Sequence, residues 1–213
     1  MTRKNLKSMR LPRIVSAISA GLFLLLLVSY LAGWLGESPI RAIQLWTGRI
    51  AYLFLLASLT ITPLRTVTGW SIIIPLRKTF GLNAFYWAFA HMLVFTVLSY
   101  QMDFPAIIEA LSFRRFIIPG AFALLILVIL GLTTVNPVKK AVKKIWRKIH
   151  WWVYPANVLV LLHYSGATAA GGGIKPLALI AILYVVLLFI LRLQPVKMAI
   201  IRRRQALGGQ ALG

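Results

Sequence analysis

Three histidines, His91, His150 and His163, are the side chains of this sequence best suited to hold a redox-active metal. Neutral imidazole is a standard axial ligand of haem iron, and two opposed imidazoles give a six-coordinate site suited to electron transfer. All three lie in strongly apolar stretches, where an imidazole is costly unless it has a partner. A single such histidine is as readily explained by a hydrogen bond to a neighbouring helix. Three together, with no acid at their depth, favour a ligand set. The only acids are Glu37, Asp103 and Glu109, all between apolar stretches. They leave no buried carboxylate pair for acid-base work, no carboxylate metal cage and no transporter-type proton relay. No Walker-type glycine loop or Gly-x-Ser-x-Gly elbow is present. Cysteine is absent, which excludes disulfides, thiolate-ligated clusters and covalent c-type haem attachment, so a haem here is noncovalent.

The elements that must position these histidines are membrane helices. Of 213 residues 60% are hydrophobic, and the mean hydropathy of +0.85 is far above that of a soluble domain. Stretches of roughly 20 apolar residues span a bilayer as helices, and six are read here: 14–35, 42–62, 80–102, 116–134, 149–167 and 174–193. Pro12, Pro39, Pro63, Pro75, Pro105, Pro137 and Pro195 fall at or near the junctions, where a missing N–H does least harm. The expected fold class is therefore all-α, an integral membrane bundle of six transmembrane helices, with residues 14–194 as one domain. A basic N-terminal segment, 1–13, and a basic tail, 195–213, flank it; the tail is expected to be partly disordered or to lie on anionic headgroups. The first stretch has no Ala-x-Ala cleavage pattern and reads as a retained helix. Gly171, Gly172 and Gly173 mark a flexible turn, and no repeat is visible.

A net charge of +21 on a soluble chain would suggest nucleic acid. Here the position of the charges argues for topology instead. Nineteen Lys and Arg residues flank one set of span ends, including Arg65, Arg77 and Lys78 and the run from Lys139 to Lys148. Only Arg41, Arg114, Arg115 and Lys175 flank the other. The positive-inside rule then puts both termini in the cytoplasm and all three acids outside.

Depth selects the histidine pair. From the basic edge at Arg77 and Lys78, His91 lies thirteen to fourteen residues in, about 20 Å at 1.5 Å per residue. From Arg147 and Lys148, His163 lies fifteen to sixteen residues in and His150 only two to three. His91 and His163 are expected to clamp one haem in the outer half. His150 stands near the cytoplasmic edge, about 140° from His163 on an ideal helix. Pro155 between them removes the hydrogen bond to the Trp151 carbonyl, and a kink there could turn both inward. Arg49 is the one Lys or Arg more than two residues from the end of a span. A haem propionate is its expected partner, with snorkelling to the outer headgroups as the alternative. Trp151, Trp152 and Tyr154 read as an interfacial belt, and Tyr164 either lines the haem pocket or packs.

The runs QLWTGR (44–49), ITPL (61–64) and LRKTFGL (76–82) followed by His91, then WRKIH (146–150) through Tyr154 to His163 and Tyr164, form an ordered set. In order and spacing they resemble the haem-binding membrane subunits of periplasmic methionine sulfoxide reductase systems, within the ferric-reductase-like transmembrane group. The likeness covers roughly residues 39–164. It implies a b-type haem, a possible flavin (FMN), and electron passage from a cytosolic flavin reductase to a periplasmic molybdopterin enzyme across a bacterial inner membrane. The family's ligand histidines map onto His91, His150 and His163. Two-haem relatives carry two histidines on each of two helices. Here Phe104 and Pro105 stand where the third span's second histidine is due, so one haem is expected, with His150 the candidate ligand of a second. The chain ends some twenty residues after the last span, so the electron donor is expected to be a separate protein. Arg65, Arg77 and Lys78 form a cationic edge that could receive a flavin phosphate or dock that donor, or serve only as membrane anchors. The rival readings are a ferric or other metal reductase component and a cofactor-free membrane scaffold or transporter.

Overall fold

Apolar, leucine-rich runs punctuated by proline and glycine build ten α-helices among the described residues of this computed structural model, which are 3–169 and 176–210. They are α1 (Arg3–Leu31), α2 (Pro39–Thr68), α3 (Leu76–Leu93), α4 (Phe104–Phe113), α5 (Ile117–Leu132), α6 (Asn136–Ala141), α7 (Trp146–Trp151), α8 (Val153–Ala169), α9 (Pro176–Ile190) and α10 (Gln194–Gln210). A 3-10 turn, Ser71–Ile73, precedes α3, and a π-helical turn, Val94–Ser99, continues it just beyond His91. The glycine turn expected at 171–173 lies outside the described residues.

Local chemistry sets the ends. Pro39 opens α2, and Gly69 closes it in the left-handed region at φ 77°, its N–H donating to the Arg65 carbonyl. The Asp103 carboxylate accepts the Ala106 N–H at 3.1 Å and caps α4. Two of the seven prolines do not mark junctions. Pro12 lies inside α1 and Pro63 inside α2. A proline at 63 frees the Leu59 carbonyl four residues back, and the Arg192 guanidinium, arriving after α9, donates to that carbonyl. A tertiary donor replaces the missing backbone one, which is why the helix continues.

The helices include three long and apolar enough to cross a membrane: residues 10–31, Pro39–Thr68 and Ser71–Ser99. Two bent pairs, α4 with α5 at 116° and α9 with α10 at 74°, bring the number among the described residues to five if each pair is one span. The stretch read as the fifth span, with a possible kink at Pro155, is broken at Trp152, within reach of that proline, into α7 and α8. The described part of the basic tail forms α10, which packs on the end of α2 with Arg204 donating to the Arg65 and Thr66 carbonyls. Residues 104–113, read as loop, form α4.

Helix α2 packs most extensively on α3, and α5 on α8. Both pairs are antiparallel hairpins: Gln44 meets His91 while Ser58 meets Arg77, and Phe116 meets His163 while Thr133 meets Trp146. Their inner faces form one core of Tyr52, Leu55, Leu56, Ala84, Leu127 and Leu130, with Val185 from α9. Helix α1 leans on this bundle through the Trp87 indole N–H, which donates to the Ser19 hydroxyl at 2.8 Å. The other side of α1 exposes Leu24, Leu25, Val28 and Leu31, a surface suited to lipid rather than water.

Candidate functional site

The α2–α3 and α5–α8 hairpins bring His91 and His163 together, with ring centroids 6.1 Å apart and planes near perpendicular at 79°. His91 Nδ1 lies 2.9 Å from the Gln44 carbonyl and His163 Nδ1 2.8 Å from the Phe116 carbonyl. A carbonyl oxygen only accepts, so each Nδ1 carries the proton and each Nε2 keeps its lone pair. That is how a metal-binding imidazole is held when its second nitrogen is tied to the backbone.

Both histidines stand 47 residues after the residue whose carbonyl they bind. In both cases a glycine follows that carbonyl by four residues and lies against the ring: Gly48 under His91, Gly120 under His163. The match runs deeper, since adding 72 to positions 44, 48, 55, 84 and 91 gives 116, 120, 127, 156 and 163. Leu55 and Leu127 are both buried, as are Ala84 and Ala156. The repeat not visible in residue identities is present in geometry.

The halves differ in polar detail. Thr47 Oγ lies 3.3 Å from His91 Nδ1 while donating to the Ile43 carbonyl at 2.7 Å. The Gln44 amide nitrogen is 3.2 Å from His91 Nε2, and its oxygen is buried without a partner. His163 has the Phe116 ring at 5.9 Å instead, and Gly166 allows the Phe116 Cβ to press against α8. Tyr164 packs on Tyr52, ring centroids 5.6 Å apart.

The remaining predicted residues are placed as follows. His150 is on α7, apart from the pair, stacked on Trp146 at 4.0 Å with Nδ1 donating to the Trp146 carbonyl. Arg77 and Lys139 lie within Coulombic range of it. Arg49 follows Gly48 on α2. Its guanidinium sits 5.6 Å over the Trp46 ring, and its Nε is buried without a partner. Arg77 and Lys78 are exposed in the first turn of α3, and Lys78 lines a cleft of about 720 Å³ between α1 and α3.

The residues present fit a haem. Imidazole–metal bonds of roughly 2 Å on a shared ion put the ring centroids about 6 Å apart, which matches the observed separation. The buried, unpartnered Arg49 Nε is a donor suited to a carboxylate. Among the described residues no group of three or more His, Asp or Glu side chains could hold a metal without such a macrocycle. Sequence reasoning missed Gln44, Thr47, Gly48, Phe116 and Gly120 as site residues. The equal spacing of the two glycines from their histidines was the available signal.

These features define a helical bundle, apolar enough for a membrane, that brings two histidines from different hairpins together. Residues 47–161 match the family described as ferric reductase like transmembrane component, and the chain belongs to that family. It is 35% identical over 130 residues to the protein-methionine-sulfoxide reductase heme-binding subunit MsrQ of Xanthomonas oryzae pv. oryzae, covering 61% of this chain and 60% of that one. To the MsrQ of Rhodospirillum rubrum it is 39% identical over 136 residues, 63% of this chain and 65% of the other. The magnetosome protein MamZ of Magnetospirillum gryphiswaldense is 33% identical over 133 residues, 62% of this chain but 20% of MamZ. The match thus spans about three fifths of the length of the MsrQ relatives. No solved structure matches the chain.

Proposed function

We propose that this chain is a haem b electron-transfer subunit of a bacterial inner membrane, passing electrons from a cytosolic flavin reductase to a periplasmic acceptor, a molybdopterin methionine sulfoxide reductase. The opposed His91 and His163 rings, each with Nδ1–H tied to a backbone carbonyl, carry the reading. When bound, the haem iron supplies one-electron ferric/ferrous chemistry. His91 and His163 hold it through Nε2, and Arg49 neutralises a propionate. The core of Tyr52, Leu55, Ala84 and Leu127 keeps water from the cytoplasmic side of the pair. His150 is the candidate ligand of a second haem. Arg77 and Lys78 receive a flavin phosphate or dock the donor. The topology is six spans, α7 and α8 together forming the fifth, with both termini cytoplasmic. The distribution of basic residues supports this orientation.

Purified protein is expected to show a Soret band and a dithionite-induced α band. His91→Ala and His163→Ala are each expected to abolish the low-spin spectrum; retention of that spectrum in both overturns the pairing. A pyridine haemochrome count per polypeptide, with a flavin assay on the same sample and on His150→Ala, decides the second haem and FMN. A protein without either optical band after haem reconstitution is a scaffold. The family match also favours a metal-reductase reading. Reoxidation of reduced protein by ferric chelates, but not by a periplasmic reductase partner, would establish that alternative.

A further inference from the structure

Glycine in the middle of a helix is destabilising relative to alanine, so Gly48 and Gly120 need a reason. A Cβ on Gly48 would lie 2.9 Å from His91 Cε1 and 3.0 Å from Nδ1. One on Gly120 would lie 2.6 Å from His163 Nδ1 and 2.9 Å from Cγ. Neither ring can simply retreat, because its Nδ1–H is anchored to the carbonyl one turn earlier on the same helix face. Carbonyl and bare glycine face thus act on each ring together: the carbonyl fixes one edge and the glycine backbone limits rotation about that anchor. Gly131, also on α5, differs in kind. Its Cβ would meet only the Phe85 ring, at 3.3 Å. Gly21 has nothing within 4 Å.

We infer that Gly48 and Gly120 are positioning residues, the two copies of a duplicated clamp that sets each ligand ring's plane and holds the two planes near perpendicular. The inference rests on the haem reading above. It goes further by assigning the 79° interplanar angle to two backbone positions rather than to the histidines themselves. The angle has an electronic consequence. Perpendicular imidazole planes leave the two iron d orbitals of π symmetry nearly degenerate, whereas parallel planes split them. A ferric low-spin haem with perpendicular ligands therefore gives one strongly anisotropic low-field electron paramagnetic resonance line. Parallel ligands give a three-line rhombic spectrum.

The full-length protein, in a His150→Ala background so that only one site contributes, is oxidised and its optical and paramagnetic resonance spectra recorded. The expected result is a low-spin optical spectrum with the single low-field line. Gly48→Ala and Gly120→Ala should each shift that line towards the rhombic form or lose the low-spin signal. Gly131→Ala and Gly21→Ala should leave it in place. A rhombic spectrum from the parent protein, or an unshifted line in both Gly48→Ala and Gly120→Ala, overturns the clamp while leaving the haem reading intact. Absence of the Soret band from the parent protein overturns the haem reading itself. The parent spectrum decides the ring geometry even if a glycine variant fails to accumulate.

Discussion

Thr47 is the side chain on which the two ligand environments part company. Its hydroxyl oxygen lies beside His91 Nδ1, whereas Pro119 stands at the equivalent register before Gly120. An acceptor at Nδ1–H makes the ring a more basic ligand and favours ferric iron. Thr47→Val is therefore expected to raise the midpoint potential of the bound haem, by less than about 60 mV, the one-electron equivalent of a tenfold change. A redox titration in detergent reads this, and a lowered potential contradicts it. Arg49 offers a second test. If its unpartnered Nε meets a propionate, Arg49→Gln should lose haem to an apo-globin acceptor several-fold faster than the parent. If Arg49 only reaches headgroups, the rates should be equal. The histidines were legible in the sequence because side-chain chemistry and distance from a basic edge are written there. The carbonyls of Gln44 and Phe116 were not, because every residue has one and only the fold selects which is used.

At the level of the helix, α2 shows how tertiary contacts override local punctuation. Pro63 reads as a stop signal, yet the Arg192 guanidinium satisfies the carbonyl it frees and also lies 5.2 Å over the Tyr154 ring. Arg192→Leu should destabilise the bundle by about 1–3 kcal/mol, the cost of an orphaned buried acceptor. Pro63→Ala should recover most of that loss in the double variant by restoring an N–H at position 63. Thermal unfolding of all three variants in one detergent tests the cycle, and strict additivity would refute the link. The same logic separates what could be read from what could not. Helices α1, α2, α3, α5 and α9 were visible as apolar runs. Helix α4 was hidden because ten residues capped by Asp103 resemble a loop in a search for spans, whereas the break at Trp152 could be read as a kink from Pro155, whose missing N–H acts without any change in hydropathy.

For the whole molecule, orientation is the most direct prediction, and a chain without cysteine makes it simple to test. Glu109→Cys on α4 should react with an impermeant maleimide in intact spheroplasts, and Gln205→Cys on α10 only after the membrane is opened. The reverse pattern overturns the assignment of both termini to the cytoplasm. Composition revealed the membrane class and the charge asymmetry, but not that the tail turns 74° from α9 and docks on the end of α2, since that depends on Arg204 reaching the Arg65 and Thr66 carbonyls, 139 and 138 residues away. His91 and His163 belong to different hairpins, so the proposed haem site lies on a seam rather than in a pocket within one unit. A ligand bridging that seam acts as a rivet: haem-loaded protein should resist separation of the two hairpins better than haem-free protein, and gentle denaturants should bleach the low-spin bands while helix content is still whole.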